Sequence, residues 1–442
     1  MSTPADGSRL SARSRVITWA LWDSGSTGMG AIVVTFVFSV YLTSAVGEGT
    51  PGGASPVSWL GRAEAIAGLT VALLAPVTGV WVQATRLRRE ALALLTGMAV
   101  AVTAAMSLIR DEPAYLFAGL VLLAVAAACG DLASVPYNAL LRQLSTPETS
   151  GRISGFGWAA GYSGSVILLL VVYVGFIAGD GPTRGLLDIP VEGGQNVRMA
   201  MLLAAAWFLL FALPLLLTMH RWPAQPQSPR ERVGLLGAYR KVWTDIRAEW
   251  HRDRNLVYYL MASAVFRDGL AGVFAFGAVL GVAVYGLSEA DVLMFGVGAC
   301  IVAAIGAVIG GVVDDRVGSK PVIVSSLTAM VITGLVLLTL SGALAFWVCG
   351  LLLCLFVGPT QSSARTQLLR MSVEGTEGIA FGLYTMTGRA VSFLAPWMFF
   401  MFVDAFDNDR AGTAGLCLVL AAGLVAMVFV KVPRHGRAAA PA

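Results

Sequence analysis

The sequence predicts an all-α integral membrane protein of twelve transmembrane helices, arranged as two pseudo-symmetric six-helix halves. Three observations carry that expectation. Mean hydropathy is +0.76, and 57% of the 442 residues are hydrophobic against 13% charged, whereas soluble chains carry about 25% charged residues. Twelve apolar stretches reach the roughly 20 residues that a helix needs to cross hydrocarbon. Residues of the first six stretches also recur, in order, in the last six.

The first stretch, 16–42, carries Trp19, Trp22 and Asp23, which makes it too long and too polar for a cleavable leader. The second, 60–83, runs into a basic turn at Arg86, Arg88 and Arg89, and the third, 91–109, ends at Arg110. The fourth, 114–141, holds Asp131, Ser134 and Asn138, while the fifth, 152–177, is rich in glycine and the sixth, 197–219, carries no charge after Arg198. A loop rich in Arg and Pro, 220–254, then divides the chain into an N-terminal half, 1–219, and a C-terminal half, 255–442. The second half repeats the rhythm at 255–285, 289–313, 321–341, 343–369, 379–403 and 411–431. Little is left over for a soluble domain.

Charge placement sets the orientation. With a cytoplasmic N-terminus, 22 of the 30 Lys and Arg fall on the tails and even-numbered turnarounds; five (Arg62, Arg110, Arg184, Arg198, Arg410) fall outside and three lie within helices. That asymmetry is what the positive-inside rule demands, and it puts both termini in the cytoplasm of a multi-pass protein of the cell (inner) membrane. His220, His251 and His435 all lie in cytoplasmic flanks, and the five cysteines show no CxxC spacing. No metal site, cofactor, nucleophile–base pair or nucleotide-binding loop is indicated, which excludes an enzyme or a pump driven by ATP. Nothing points to nucleic acid; the expected partners are a small-molecule substrate, protons and the lipid bilayer, with the chain acting as a monomer.

Four correspondences support the repeat. Leu21-Trp22-Asp23-Ser24-Gly25 pairs with Phe266-Arg267-Asp268-Gly269, and Gly79 to Arg88 with Gly311 to Lys320. Asp131, Ser134 and Asn138 pair with Gly358, Gln361 and Arg365, and Phe156-Gly157 with Phe381-Gly382. The offsets of 245, 232, 227 and 225 drift as differences in loop length should make them do.

The spacing Gly311-x-x-x-Asp315-Arg316-x-Gly318-x-Lys320 resembles the inter-helix loop motif G-x-x-x-D-R-x-G-x-K of the major facilitator superfamily. The resemblance implies the major facilitator fold and a gating latch, in which glycine allows a tight turn and the acid meets a helix N-terminus. The first-half copy has lost its acid, because Gln83 and Ala84 stand at the Asp and Arg positions; latching is therefore expected to be lopsided. Trp19-Ala-Leu-Trp22-Asp23, Tyr137-Asn138-Ala139, Arg267-Asp268-Gly269, Gln361-Ser-Ser-Ala-Arg365 and Phe381-Gly382-Leu383-Tyr384 narrow the likeness. They resemble the branch that includes the vacuolar, autophagy-related amino-acid effluxers of fungi, and this resemblance implies export of an amino acid. Departures from its pattern, Ser26, Arg267, Ala271 and Arg389, fall on expected cavity positions.

Asp23, Asp131 and Asp268 match Arg267, Arg365 and Arg389 in number inside the spans. Burying such ions costs roughly 2.5–3.5 kcal/mol each even on insertion scales, so they mark a polar pathway or a paired lock. A mere lock is a poor explanation, since polar contacts inside membranes average about 0.6 kcal/mol. Residues three, four and seven apart share a helix face. Trp19, Asp23 and Ser26 therefore line up on the first span, Asp131, Ser134 and Asn138 on the fourth, Gln361 and Arg365 on the tenth, and Arg389 with Ser392 on the eleventh. In the resembled fold the first, fourth, seventh and tenth helices line a central cavity. The expected proton-coupling residues are Asp23, Asp268 and Asp131. The expected substrate-binding residues are Trp19, Ser26, Ser134, Asn138, Gln361, Arg365 and Arg389. Gly311, Asp315, Arg316, Gly318 and Lys320 form the expected gate. Arg267 points about 100° away from Asp268 and is expected to snorkel toward the cytoplasm.

These features predict a secondary active transporter working by alternating access and coupled to protons, which moves a small polar or zwitterionic metabolite such as an amino acid. The rival is a multidrug or lipid-like amphiphile exporter of the same fold, which the balanced intramembrane charge disfavours.

Overall fold

The computed structural model describes residues 11–48, 55–222 and 254–432, together with a few positions between 237 and 247. Most of the expected central loop, 220–254, and most of both tails, including His251 and His435, lie outside the described residues. Among the described residues, twelve spans are long and apolar enough to cross a membrane. They are α1 (Ala12–Val46), α2 (Pro56–Trp81), α3 (Thr85–Leu108), α4 (Pro113–Leu144), α5 (Ser150–Ile177), α6 (Glu192–Arg221), α7 (Arg254–Ala283), α8 (Met294–Val317), α9 (Ser319–Thr339), α10 (Ala343–Met371), α11 (Glu377–Phe406) and α12 (Ala411–Phe429). Each overlaps its predicted stretch. Wide helical turns interrupt α1 at Ala31–Phe36 and Leu42–Val46, and end α5 at Tyr173–Ile177.

Packing divides the chain into two compact units. The first comprises Met1–Val71, Trp81–Tyr137 and Ala160–Glu231; the second comprises Ala72–Val80, Asn138–Ala159 and Arg232–Ala442. In the first unit α1 lies against α6, with Trp22 edge-on to Phe208 at 5.7 Å and its indole N–H donating to Thr96 Oγ1 on α3 at 3.1 Å. A short antiparallel pair, Thr183–Arg184 with Ile189–Pro190, joins α5 to α6.

In the second unit α8 packs on α10, and Phe276 of α7 stacks on Phe399 of α11 at 4.1 Å. This unit also gathers the near ends of α2, α4 and α5 onto α8, α10 and α11. Two crossings have no room for a side chain. A methyl group on Gly311 of α8 would lie 2.5 Å from the carbonyl oxygen of Gly151 on α5, and one on Gly79 of α2 would lie 3.2 Å from the Cα of Gly382 on α11. Such contacts let backbones approach closely, as small residues do between spanning helices.

The eleventh span lies where the apolar stretch 379–403 put it, but its helix is interrupted inside the span. Helix Glu377–Val391 stops, Ser392 and Phe393 form a turn, and a new helix runs over Leu394–Phe406. Pro396 supplies the reason. Its ring clashes with the carbonyl four residues back, at Ser392, and it has no N–H for that carbonyl. In the first turn of a new helix the missing N–H costs nothing, so the break falls just upstream.

Candidate functional site

The second unit builds a dense ionic cluster where α8 meets α5 and α10 meets α11. Asp315 sits at the end of α8 and points at the first turn of α5: its Oδ1 accepts from Gly151 N at 2.7 Å and its Oδ2 from Arg152 N at 3.1 Å. Those amides are orphan donors at the positive end of a helix dipole, and a carboxylate is their natural partner. Gly318 has φ +90°, a left-handed value that glycine reaches without strain. Lys320 reaches the end of α12 and donates to the carbonyls of Val428 and Val430 at 2.8 and 2.7 Å. Gly311 supplies the close crossing on Gly151, and Arg316 is exposed.

Two further arginines complete the cluster. Arg370, in the last turn of α10, pairs with the fully buried Asp314 and donates to Ser319 Oγ at 2.7 Å and to the Pro147 carbonyl at 3.1 Å. Arg142, at the end of α4, pairs with Glu377 at 3.0 Å and donates to the carbonyls of Leu369 and Ser372 at 2.6 and 2.9 Å. Glu377 is fully buried at the start of α11 and also accepts from Gly375 N. Each arginine thus pairs with a buried acid and also donates to backbone carbonyl groups nearby.

Above this cluster lies Arg365, only 4% exposed on α10. Its Nε donates to Ser154 Oγ at 3.0 Å, one terminal nitrogen to Asn138 Oδ1 at 3.1 Å, and the other to the Ser154 carbonyl at 2.7 Å. The Trp158 ring lies 5.5 Å away. The repeat mates Asn138 and Arg365 are therefore in direct contact. In this conformation all three guanidinium nitrogens are occupied by α4 and α5.

Asp268, 6% exposed on α7, takes a different partner from any arginine. Its Oδ2 accepts from Ala395 N at 2.5 Å, an amide in the first turn of the second α11 segment. The break in α11 thus creates a helix N-terminus, and Asp268 caps it. Arg267 does not snorkel to a helix end. Its guanidinium lies 3.7 Å over the Tyr384 ring and donates to the Tyr384 carbonyl at 3.0 Å, because the face 100° from Asp268 meets the first segment of α11. Arg389 is exposed in the last turn of that segment, and Gln361 is half-buried on α10.

The first unit holds the remaining predicted residues. Trp19 is fully buried; it stacks on Tyr137 at 4.7 Å and donates to the Tyr137 carbonyl at 3.1 Å. Asp23 is half-buried beside Gly161 of α5 and accepts from Thr27 Oγ1 at 3.4 Å. Ser26 is half-buried on the same helix. Ser134 donates to the Asp131 carbonyl at 2.6 Å, and both are half-buried on α4.

Sequence reasoning missed Arg142, Arg370, Asp314 and Glu377. Each stands beside a turnaround, where charge reads as a topology signal. The usable signal was positional: Arg142 and Arg370 both follow a polar stripe on repeat-related spans.

The family model described as "Vacuole effluxer Atg22 like" matches residues 58–440. The uncharacterized MFS-type transporter YxiO of Bacillus subtilis is 22% identical across 93% of this chain and 94% of its own. Autophagy-related protein 22-1 of Neosartorya fischeri is 22% identical across 66% of this chain, which spans about half (49%) of the length of that relative. Among solved structures, the proton:xylose symporter XylE superposes with a TM-score of 0.73 at 15% identity, covering 95% of this chain and 96% of that one. FucP, in the outward conformation, gives 0.69 at 12% identity, covering 95% and 100%. These likenesses establish the fold.

Proposed function

The chain belongs to the Atg22-like vacuole effluxer family of the major facilitator superfamily, and from that membership we propose that it is a proton-coupled exporter of a small zwitterionic metabolite such as an amino acid. On this reading it works as a monomer in the cell membrane, with both termini cytoplasmic; the placement of its arginines supports that orientation.

The observation that carries the reading is the Asp268 carboxylate bound to the Ala395 amide at the break in α11. Discontinuous helices mark binding sites in transporters, and a carboxylate inside a span is too costly to keep without a use. A carboxylate accepts a hydrogen bond more strongly than the neutral acid does. Protonation of Asp268 therefore loosens the cap and frees the α11 joint, and loss of the proton restores it. Asp23, the repeat mate, is the second proton carrier and lies in the first unit, while Asp131 extends the polar stripe of α4. Ser26, Ser134, Gln361 and Arg389 remain the substrate contacts, with Arg389 receiving the carboxylate. Asn138 and Arg365 act as a switching pair. Trp19, packed on Tyr137, supports the backbone behind Asp23.

The cluster of Asp315, Arg370, Arg142 and Glu377 is the closed cytoplasmic gate. Opening it must break a buried ion pair and uncap α5, so substrate and proton binding have to supply the difference.

Purified protein reconstituted into liposomes and challenged with amino acids, peptides and drugs, with and without a pH gradient, tests this. The parent should concentrate at least one amino acid when the gradient is applied, and Asp23→Asn and Asp268→Asn should not. Accumulation by both variants at the parent level would remove these acids from coupling. Transport of drugs alone would replace the substrate class.

A further inference from the structure

A cavity of about 620 Å³ opens between α2 and α4 in the first unit, and none of the expected gating, proton-coupling or substrate-binding residues lines it. Its volume falls within the roughly 300–1,000 Å³ of small-molecule sites. The sequence makes the space. Ala63 and Ala67 stand one turn apart on α2, and Ala124 and Ala128 do so on α4, so the facing ridges are too short to meet. Longer apolar side chains wall the groove and stay uncovered by protein: Ile66 is 64% exposed, Val121 61% and Phe117 53%.

Three features identify the occupant. The groove runs from position 59 to 70 on α2 and from 117 to 128 on α4, about 16 Å at 1.5 Å per residue. That length is half of a hydrocarbon core about 30 Å thick, the depth of one leaflet. Its lining is apolar apart from Thr70, whose hydroxyl is turned back onto the Ile66 carbonyl at 2.8 Å, and one cation at one end: Arg62, whose guanidinium lies 4.6 Å over the ring of Trp59. Trp59 closes that end edge-on to Phe117 at 5.0 Å. A tryptophan and an arginine near the start of a span lie at headgroup depth, where tryptophan anchors and arginine snorkels toward phosphate.

We propose that this groove is a lipid site, which seats one acyl chain of an anionic phospholipid along the alanine faces and holds its phosphate with Arg62. The site lies outside the gate and the proton-coupling residues, and it stands whether or not the substrate is an amino acid. Arg62 gives headgroup selectivity, and the alanines give room for the chain.

Native mass spectrometry of the full chain, purified in detergent and offered phosphatidylglycerol or phosphatidylcholine, tests it. The parent should retain one lipid and prefer phosphatidylglycerol. Arg62→Gln should keep chain occupancy but lose the preference by about fivefold, the worth of one arginine at an anionic surface. Ala124→Leu, or Ala63→Leu should the first variant fold poorly, should abolish retention. Phosphatidylglycerol with brominated chains should quench the parent more than Trp59→Phe, a comparison that needs no groove-filling variant. No retained lipid, equal retention by the filled and open grooves, or quenching unchanged by loss of Trp59 would each overturn the proposal. So would displacement of the lipid by a transported compound, which would make the groove part of the substrate route.

Discussion

Arg142 and Glu377, separated by 235 positions, form a 3.0 Å ion pair whose carboxylate is entirely buried. The two ends of the pair are not equivalent. Arg142→Gln strands a buried charge, at a cost of about 3–5 kcal/mol. Glu377→Gln leaves behind only an arginine that still has carbonyl partners at Leu369 and Ser372. Thermal melts should therefore rank Arg142→Gln below Glu377→Gln, with the double variant recovering part of the loss. Equal melting temperatures would mean that the pair contributes no net stability.

The Asp315 cap on α5 should behave as a charge–dipole contact worth about 0.3–2 kcal/mol. Asp315→Asn keeps one acceptor oxygen but turns an amide N–H toward the second backbone donor. The gate should open more often, and a cysteine replacing the buried Leu369 should label faster from that side. Unchanged labelling would leave the motif a topology signal only.

Asp268 offers a separation of capping from coupling. Asparagine can still accept from Ala395 N, whereas alanine cannot. Asp268→Asn should lose gradient-driven uptake while melting like the parent; Asp268→Ala should also lose stability, by about 0.5–2 kcal/mol as helix caps do. If the asparagine variant melts like the alanine one, the negative charge itself holds the break.

Arg365 spends its nitrogens on Ser154 and Asn138. A lysine keeps the charge but cannot span those acceptors with a planar fork. Arg365→Lys should lower uptake of carboxylate-bearing and carboxylate-free substrates alike, on the order of tenfold, about 1.4 kcal/mol. A loss confined to carboxylates would instead assign the guanidinium to substrate.

Glycine contacts make a paired control. A methyl on Gly151 would meet the Gly311 carbonyl at 2.6 Å, whereas one on Gly130 meets nothing within 4 Å. Gly130→Ala should be neutral or stabilising by up to about 1 kcal/mol, as alanine is the better helix former. Gly151→Ala should lower the melting temperature, and a Gly151→Ala protein as stable as the parent would show that this crossing can spread at little cost.

The twelve spans were legible because hydropathy and length decide them locally, and Asp315 was legible through the likeness of its loop to the superfamily motif, which implied an acid meeting a helix N-terminus. The α11 break was written in Pro396 but hidden by the apolar run on both sides of it. Arg142, Arg370, Asp314 and Glu377 were not legible as a cluster. A charge beside a turnaround looks the same whether it faces water or a buried acid 235 positions away, and only the packing of α4 and α5 on α10 and α11 distinguishes the two. Arg267 shows the converse: helical geometry excluded Asp268 as its direct partner, but nothing local named Tyr384.

The jointed α11 also changes how this protein meets its solvent. Its two segments, 15 and 13 residues long, measure about 22 and 20 Å at 1.5 Å per residue, so neither crosses a hydrocarbon layer about 30 Å thick. An unbroken helix answers a change in membrane thickness by tilting as a whole, and would carry the buried Glu377 with it. A joint at Ser392 and Phe393 would let each segment answer hydrophobic mismatch at its own face of the bilayer. The ionic contacts at one end of the span would then be mechanically insulated from strain imposed at the other.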